Sequence, residues 1–169
     1  MSKPSTLDQS PLGKIANYQA EYAPALLFSI ARQGKRVELG LGLASATLPF
    51  FGFDIWNAYE LSWLNLRGKP QVAIATITVP ADSPNIIESK SFKLYLNSFN
   101  QTRLASTDAL LELLRADLSA GFGAPVQIAL TMPESFGSLK FGELEGQLLD
   151  RLDIDVDDYT PDPTLLKTI

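Results

Sequence analysis

Two consecutive segments in which apolar and polar residues alternate constrain the fold of this chain more than any other feature. In the first, "YELSWLNL" at 59–66, the large apolar side chains Tyr59, Leu61 and Trp63 share one face of an extended chain. The second, "QVAIATITVP" at 71–80, is rich in the β-branched residues that favour strands. The intervening "RGKP" is typical of a turn. The pair therefore predicts a hairpin with strands near 59–66 and 71–79.

The elements that follow the hairpin predict an α+β fold. Helical spacing of apolar residues predicts helices near 89–101 and 107–120. β-Branched or alternating runs predict two more strands, near 125–131 and 152–157. Strands that short turns connect pair in antiparallel fashion. We therefore expect an antiparallel four-stranded sheet with both helices on one face.

The length of 169 residues suits a single domain with irregular ends. Residues 1–24 hold three prolines among polar residues and predict a flexible arm. The folded module is predicted over 25–159, and residues 160–169 are interpreted as a tail or linker. A single small sheet has two open edges, so we expect neighbours along them and hence a homo-oligomer.

Composition excludes several classes of function. The net charge of −5 and the pI of about 4.7 argue against binding of nucleic acid, since Lys and Arg must neutralise the phosphates. The sequence has no Cys and no His, so it offers no disulfide, thiolate, imidazole base or Cys/His metal cage. No signal peptide and no membrane-spanning apolar stretch is visible, and we expect a cytoplasmic protein.

Two short motifs are better explained by structure than by ligand binding. "ELGLGLAS" places Gly40 and Gly42 as a dinucleotide fingerprint would, but no helix is predicted to follow. "DIDVDD" at 153–158 resembles a calcium loop, but Asp158 stands where that loop requires Gly. We interpret these aspartates as the solvated face of an edge strand and predict no metal site.

The segment "ESKSFKLYLNSFNQTR" at 88–103 is the strongest candidate for binding. Ser89 is predicted as the N-cap of its helix, so that the amides of Lys90 and Ser91 would face outward at the positive end of the dipole. Such a terminus beside a Lys suits a phosphate, and the Glu88 carboxylate can accept paired N–H groups of a purine-like ring. Capping of the first turn is the alternative, and spacing alone favours it. The helix itself buries an apolar stripe of Phe92, Tyr95, Leu96 and Phe99.

This segment and the preceding "DIWNAYELSWLNLRGKPQVA" at 54–73 together resemble one enzyme family. They are similar to the NADPH-dependent 7-cyano-7-deazaguanine reductases (QueF) of queuosine biosynthesis, in the two-module form whose signature lies in the N-terminal half. The resemblance implies a tunnelling fold (T-fold), whose unit has the order of strands and helices predicted above. It also implies that a nitrile is reduced to a primary amine with NADPH, through attack of a Cys thiolate and proton donation by an Asp.

The resemblance also implies roles for four residues. Ile87, Glu88 and Ser89 correspond to substrate contacts of the family signature, and Ser89 and Lys90 to contacts with NADPH. In the two-module form the catalytic Cys and Asp and a His-Glu pair lie in the second half. Because this sequence has neither Cys nor His, we expect no catalytic residue in it. The expectation is an N-terminal module that partners a C-terminal catalytic module.

Two other interpretations stay open. The chain could be an assembly module whose sheet only completes a barrel with partner modules, or a T-fold protein that binds a purine or pterin without redox function. Glu88 discriminates among them. A carboxylate that solvent reaches at a pocket favours binding of a base, whereas a carboxylate engaged only in capping favours assembly.

Overall fold

The fold is α+β, with two helices packed on one face of a sheet. A computed structural model describes residues 13, 19, 21–41, 48–140, 142–143, 145–155 and 157–165. The helices and strands, in chain order, are β1 (Ser29–Ala31), α1 (Gln33–Glu38), β2 (Phe53–Asn65), β3 (Pro70–Pro80), β4 (Asn85–Ile87), α2 (Ser89–Asn97), β5 (Arg103–Leu104), α3 (Thr107–Phe122) and β6 (Gln127–Thr131). Short 3-10 turns lie at Pro24–Leu26, Pro133–Ser138 and Pro163–Leu165.

The main sheet is mixed rather than fully antiparallel. Its order is β5-β2-β3-β6, in which β3 pairs antiparallel with β2 and with β6. The two-residue strand β5 lies parallel to the end of β2. A separate antiparallel pair joins β1 to β4. The predicted hairpin and the strand near 125–131 are confirmed, and the prediction of an antiparallel four-stranded sheet is wrong.

The fourth strand of the sheet is not the predicted one. Among the described residues of 152–157, none is in a strand, and β5 takes the fourth place in the sheet. An alternating pattern becomes a strand only where its backbone finds a ladder partner. The chain divides into two compact units, Met1–Ser138 and Leu139–Ile169, and every described strand belongs to the first. The second unit has loops and one 3-10 turn among its described residues.

The core lies between the sheet and the two longer helices. On β3 one face is fully buried and alternates with a partly exposed face, as the period-two pattern predicts. From the sheet and the helices, large buried side chains join one cluster, among them Leu61, Trp63, Ile77, Phe92, Tyr95, Leu110, Leu114, Leu118 and Phe122. Leu96 is only partly buried at the edge of this cluster, and α2 ends at Asn97, four residues before its predicted end.

A β-bulge in β2 changes which side chains face the core. Ala58 pairs with Ala75 but Leu61 pairs with Ala73, so β2 contains one extra residue between the two pairs. Trp56 therefore faces the core before the bulge and Trp63 after it. Tyr59 is 70% exposed, and the prediction that it shares the face of Leu61 and Trp63 is wrong because the bulge shifts the alternation.

An N-terminal segment, residues 22–31, lies along α2 and is called the strap below. Its backbone amides donate to three hydroxyls of the α2 region: Tyr22 to Thr102 at 2.8 Å, Ala23 to Ser98 at 3.1 Å and Phe28 to Ser91 at 3.0 Å. The strap then enters β1 and the ladder with β4. The predicted arm, 1–24, lies mostly outside the described residues. Its boundaries, like those of the module and the tail, stay predictions.

Candidate functional site

Glu88 stands between β4 and α2 and caps the helix with its side chain. Its backbone is extended (φ −63°, ψ 131°), because it continues the strand that ends at Ile87. Oε1 accepts from the Lys90 amide at 2.7 Å, and Oε2 accepts from the Ser91 amide at 2.8 Å. The residue is only 6% exposed. Two of the four amides that a helix start leaves unpaired are thereby satisfied.

The predicted first turn of α2 is thus wrong in two details. Glu88 is the N-cap, and Ser89 is the first helical residue, with its hydroxyl 3.4 Å from Oε1 of Glu88. The amides of Lys90 and Ser91 do not face outward, because the Glu88 carboxylate accepts from both. An anion therefore finds no open backbone amide at these two positions.

A pocket of about 570 Å³ lies between β2 and α2. The bulged part of β2, residues 56–61, forms one wall, and Ile77 of β3 contributes to it. The opposite wall is a face of α2 made by Ser89, Lys90, Phe92, Lys93, Leu96 and Asn97. Volume and largely apolar walls fit a small organic ligand.

The structure brings two of the four predicted binding residues to this pocket. Ser89 and Lys90 line it, Ser89 exposed and Lys90 half-buried. Ile87 is 1% exposed and packs in the core, close to Gly121 of α3. Glu88 does not line the pocket and lies directly before the two residues that do.

The pocket combines an aromatic wall with charges of both signs. Trp56 packs against Phe92 with ring centroids 5.4 Å apart, and both rings line the pocket. Lys90 and Lys93 supply positive charge from α2, and Glu60 supplies negative charge from the bulge. The two aromatic rings can stack on a planar ring of a ligand, and the two lysines can attract a phosphate of the same ligand.

The part of β2 that lines the pocket was not identified as a site from the sequence. Its signal is a change of parity: the inward apolar residues are even-numbered at Trp56 and Ala58 and odd-numbered at Leu61 and Trp63. One extra residue between two such runs indicates a bulge, and bulges often lie beside sites.

A partly buried polar cluster was also not predicted from the sequence. Tyr22 of the strap and Tyr95 of α2 both donate to Oδ2 of Asp117 on α3, each at 2.7 Å. Burial, and then the hydrogen bond to Asp117, raise the pKa of Tyr22 to about 12. The same causes raise the pKa of Tyr95, which is fully buried. The cluster joins the strap to both helices.

Among the described residues, no group of three or more His, Cys, Asp or Glu side chains is placed to hold a metal ion. A search of the same residues finds no helix long and apolar enough to cross a membrane.

Comparison with known sequences places the chain in a family of enzyme modules. A family model described as "Nitrile reductase, 7-cyano-7-deazaguanine-reductase N-term" matches residues 18–130. The matched range contains the main sheet nearly whole, both long helices and every residue that lines the pocket. The chain belongs to this family, and the resemblance expected from its sequence is confirmed.

Individual relatives support the same family assignment. The chain is 62% identical over 159 residues to the NADPH-dependent 7-cyano-7-deazaguanine reductase of Ralstonia nicotianae, an alignment that covers 94% of this chain and 57% of the relative. It is 63% identical to the reductase of Cupriavidus metallidurans, with the same coverage. Against that of Paraburkholderia xenovorans it is 60% identical, covering 96% of this chain and 58% of the relative. The chain thus spans little more than half the length of these relatives.

Proposed function

We propose that this chain is the N-terminal module of a reductase that converts 7-cyano-7-deazaguanine to 7-aminomethyl-7-deazaguanine with NADPH, in the biosynthesis of queuosine. One observation carries the proposal: the segment that resembles the family signature forms one wall of the pocket. The relatives' names supply the substrate and the cofactor. A C-terminal module supplies the catalytic Cys, since this sequence has none.

Glu88 and Ser89, together with Ile87, are proposed as substrate contacts. Glu88 caps α2, is 6% exposed and does not line the pocket, so its geometry alone favours the assembly interpretation, whereas the family match favours the reductase module. Capping does not exhaust the Glu88 carboxylate. The described residues fill three of its roughly four acceptor positions, with the Lys90 amide and the Ser89 hydroxyl on Oε1 and the Ser91 amide on Oε2. Oε2 can accept one N–H from a deazapurine ring while the cap stays in place. The side chain of Ile87 is buried, so Ile87 would support the proposed substrate contact at Glu88 by packing beneath it in the core.

Ser89 and Lys90 are proposed as contacts with NADPH. Their side chains stand at the pocket beside Lys93, and a hydroxyl with two ammonium groups fits the anionic phosphates of the cofactor. The backbone amides of Lys90 and Ser91 do not contribute, because both donate to the Glu88 carboxylate. When bound, NADPH supplies hydride, and the role of these residues is to hold it against the substrate.

The tunnelling fold, assembly and location belong to the same proposal. Two helices on one face of a sheet and a strand order that keeps the hairpin central agree with a T-fold unit that partners complete. Along β2, β5 pairs only with Leu64 and Asn65, which leaves most of that edge open in the described structure. Phe51, Phe53 and Ile55 are exposed nearby. Homo-oligomers are proposed, detectable by sedimentation, in the cytoplasm and without direct binding of nucleic acid.

The sequence also predicts that the aromatic residues Phe50, Phe51, Phe53 and Trp56 lack cover and so favour self-association, and for Trp56 this prediction is wrong. Trp56 packs against Phe92 and Phe122, with ring centroids 5.4 and 6.3 Å apart. The exposed residues of the neighbouring β2 edge, and not Trp56, thus support self-association.

The proposal is tested in a composite reductase, made by fusing this chain to the remaining part of the Ralstonia nicotianae relative. Lys90→Ala should raise the KM for NADPH about tenfold, as one charge-assisted contact is lost, with little effect on the KM for 7-cyano-7-deazaguanine. The matched control is Lys69→Ala, since Lys69 is exposed at the hairpin turn and does not line the pocket. Equal effects of both changes, or equal effects of Lys90→Ala on both ligands, would reject the assigned role.

A further inference from the structure

A buried serine connects the strap to the capping carboxylate. The Ser91 hydroxyl donates to the Glu88 carbonyl oxygen at 2.7 Å and accepts from the Phe28 amide at 3.0 Å. The Ser91 amide donates to Oε2 of Glu88 at 2.8 Å. Ser91 has no exposed surface and does not line the pocket. The hydroxyl and the amide of Ser91 therefore both donate hydrogen bonds to Glu88.

The hydroxyl stands at the point where a strand ladder changes into a helix. β1 pairs with β4 in a register that aligns Ser29 with Ile87, and the Glu88 amide continues the ladder by donating to the Phe28 carbonyl at 2.9 Å. The Glu88 carbonyl does not complete the pair with the Phe28 amide: it begins α2 by accepting from the Phe92 amide at 2.9 Å, and its second acceptor position takes the Ser91 hydroxyl. The Ser91 hydroxyl instead connects the two groups, because it accepts from the Phe28 amide and donates to the Glu88 carbonyl. Glu88 is thereby fixed at its amide, its carbonyl and its carboxylate.

We propose that Ser91 is a positioning residue that holds the Glu88 carboxylate in register for the substrate. The inference rests on the proposed function, in which Oε2 of Glu88 accepts an N–H from the deazapurine. Oε2 is the oxygen to which the Ser91 amide already donates. A small displacement of such an acceptor weakens recognition even though no group that touches the ligand is lost.

The chain contains a matched control for this role. Ser98 has no exposed surface either, and its hydroxyl accepts from the Ala23 amide of the strap at 3.1 Å. It donates to the Tyr95 carbonyl at 2.6 Å, which is again the carbonyl three residues earlier. Ser98 thus makes the same two kinds of hydrogen bond between strap and helix, but about three turns away from Glu88.

The experiment compares Ser91→Ala with Ser98→Ala in the composite reductase. Each change leaves one partly buried strap amide without its acceptor, so both should lower the melting temperature by similar amounts. Only Ser91→Ala should raise the KM for 7-cyano-7-deazaguanine, about three- to tenfold, the range that one net hydrogen bond supplies, with kcat largely kept. The KM for NADPH should change less than about twofold in both variants.

The outcomes separate the inference from the function on which it rests. Equal kinetic effects of the two variants overturn the positioning role, as does a change in kcat alone. If Ser91→Ala does not fold, Ser91→Cys keeps nearly the same volume with a weak hydrogen bond and should show the same selective rise. Glu88→Gln tests the underlying assignment: if it leaves substrate binding unchanged, the proposed role of Glu88 fails, and the inference fails with it.

Discussion

Glu88 shows why the local geometry of the site could be predicted only in part. The sequence indicates a helix start at this point, and spacing favours capping, both of which the structure contains. N-cap preferences, however, rank Ser far above Glu, so Ser89 is the natural prediction. The β1–β4 ladder determines which residue is the N-cap. It keeps the backbone extended through Glu88, so that Glu88 is the N-cap and the helix begins at Ser89, one residue earlier than predicted. A pairing with residues about sixty positions earlier is not visible in the motif.

The Tyr22–Tyr95–Asp117 cluster makes stability depend on pH in the alkaline range. The pKa of Tyr22 is raised from 10.0 to about 12, and that of Tyr95 is also raised. Folding therefore favours the neutral phenols, and this stabilisation is complete below pH 10, where unfolded tyrosine is also neutral. As pH rises from 10 towards 12, the unfolded chain ionises first and the stabilisation is lost. Unfolding by urea at stepped pH should show this decline.

Asp117→Asn tests the cause of that decline. Near neutral pH it should lower the free energy of unfolding by about 1–3 kcal/mol, because two phenols lose a charged acceptor. The alkaline decline should become smaller and end at a lower pH, since the carboxylate no longer raises both pKa values while the unfolded chain still begins to ionise near pH 10. Glu112→Gln is the control, because it removes one charge from an exposed site on the same helix. The interpretation fails if the two variants share one pH profile.

At the scale of elements, periodicity predicted the hairpin, the third strand and both long helices, because each of these elements packs one face of apolar side chains against the core. It failed where the pattern is interrupted. The bulge in β2 moves Tyr59 out of the face of Leu61, and residues 152–157 carry a strand-like pattern without forming a strand among those described. Side-chain alternation reports which residues can share a face, and pairing decides whether they do.

The bulge gives a direct prediction about stability. Tyr59→Ala should change the free energy of unfolding by no more than about 0.5 kcal/mol, because the side chain is 70% exposed. Leu61→Ala should cost about 2–5 kcal/mol, since Leu61 is 1% exposed in the core. Urea denaturation of both variants measures the difference. Similar costs would show instead that Tyr59 and Leu61 share the buried face, as unbroken alternation predicts.

At the scale of the whole molecule, the chemistry is limited by what the chain lacks. A nitrile is a weak electrophile, and the route implied by the family resemblance begins with a Cys thiolate. None of the 169 residues is Cys, and without His no imidazole activates a hydroxyl in its place. The pocket between β2 and α2 can hold and orient ligands, but the described residues offer no nucleophile of the required kind. The proposed function therefore assigns binding to this chain and bond formation to a second module.

This division predicts that the isolated chain neither oxidises NADPH in the presence of 7-cyano-7-deazaguanine nor forms a covalent adduct detectable by mass spectrometry. Addition of the remaining part of the Ralstonia nicotianae reductase, made separately, should restore turnover as the two modules dock. The control is the same part with its Cys residues changed to Ser, which should dock without restoring turnover. Turnover by the purified chain alone would contradict both the thiolate route and the assignment of the nucleophile to a second module. Because the control differs from the active part only at its Cys residues, a difference between the two mixtures is attributed to the missing thiols.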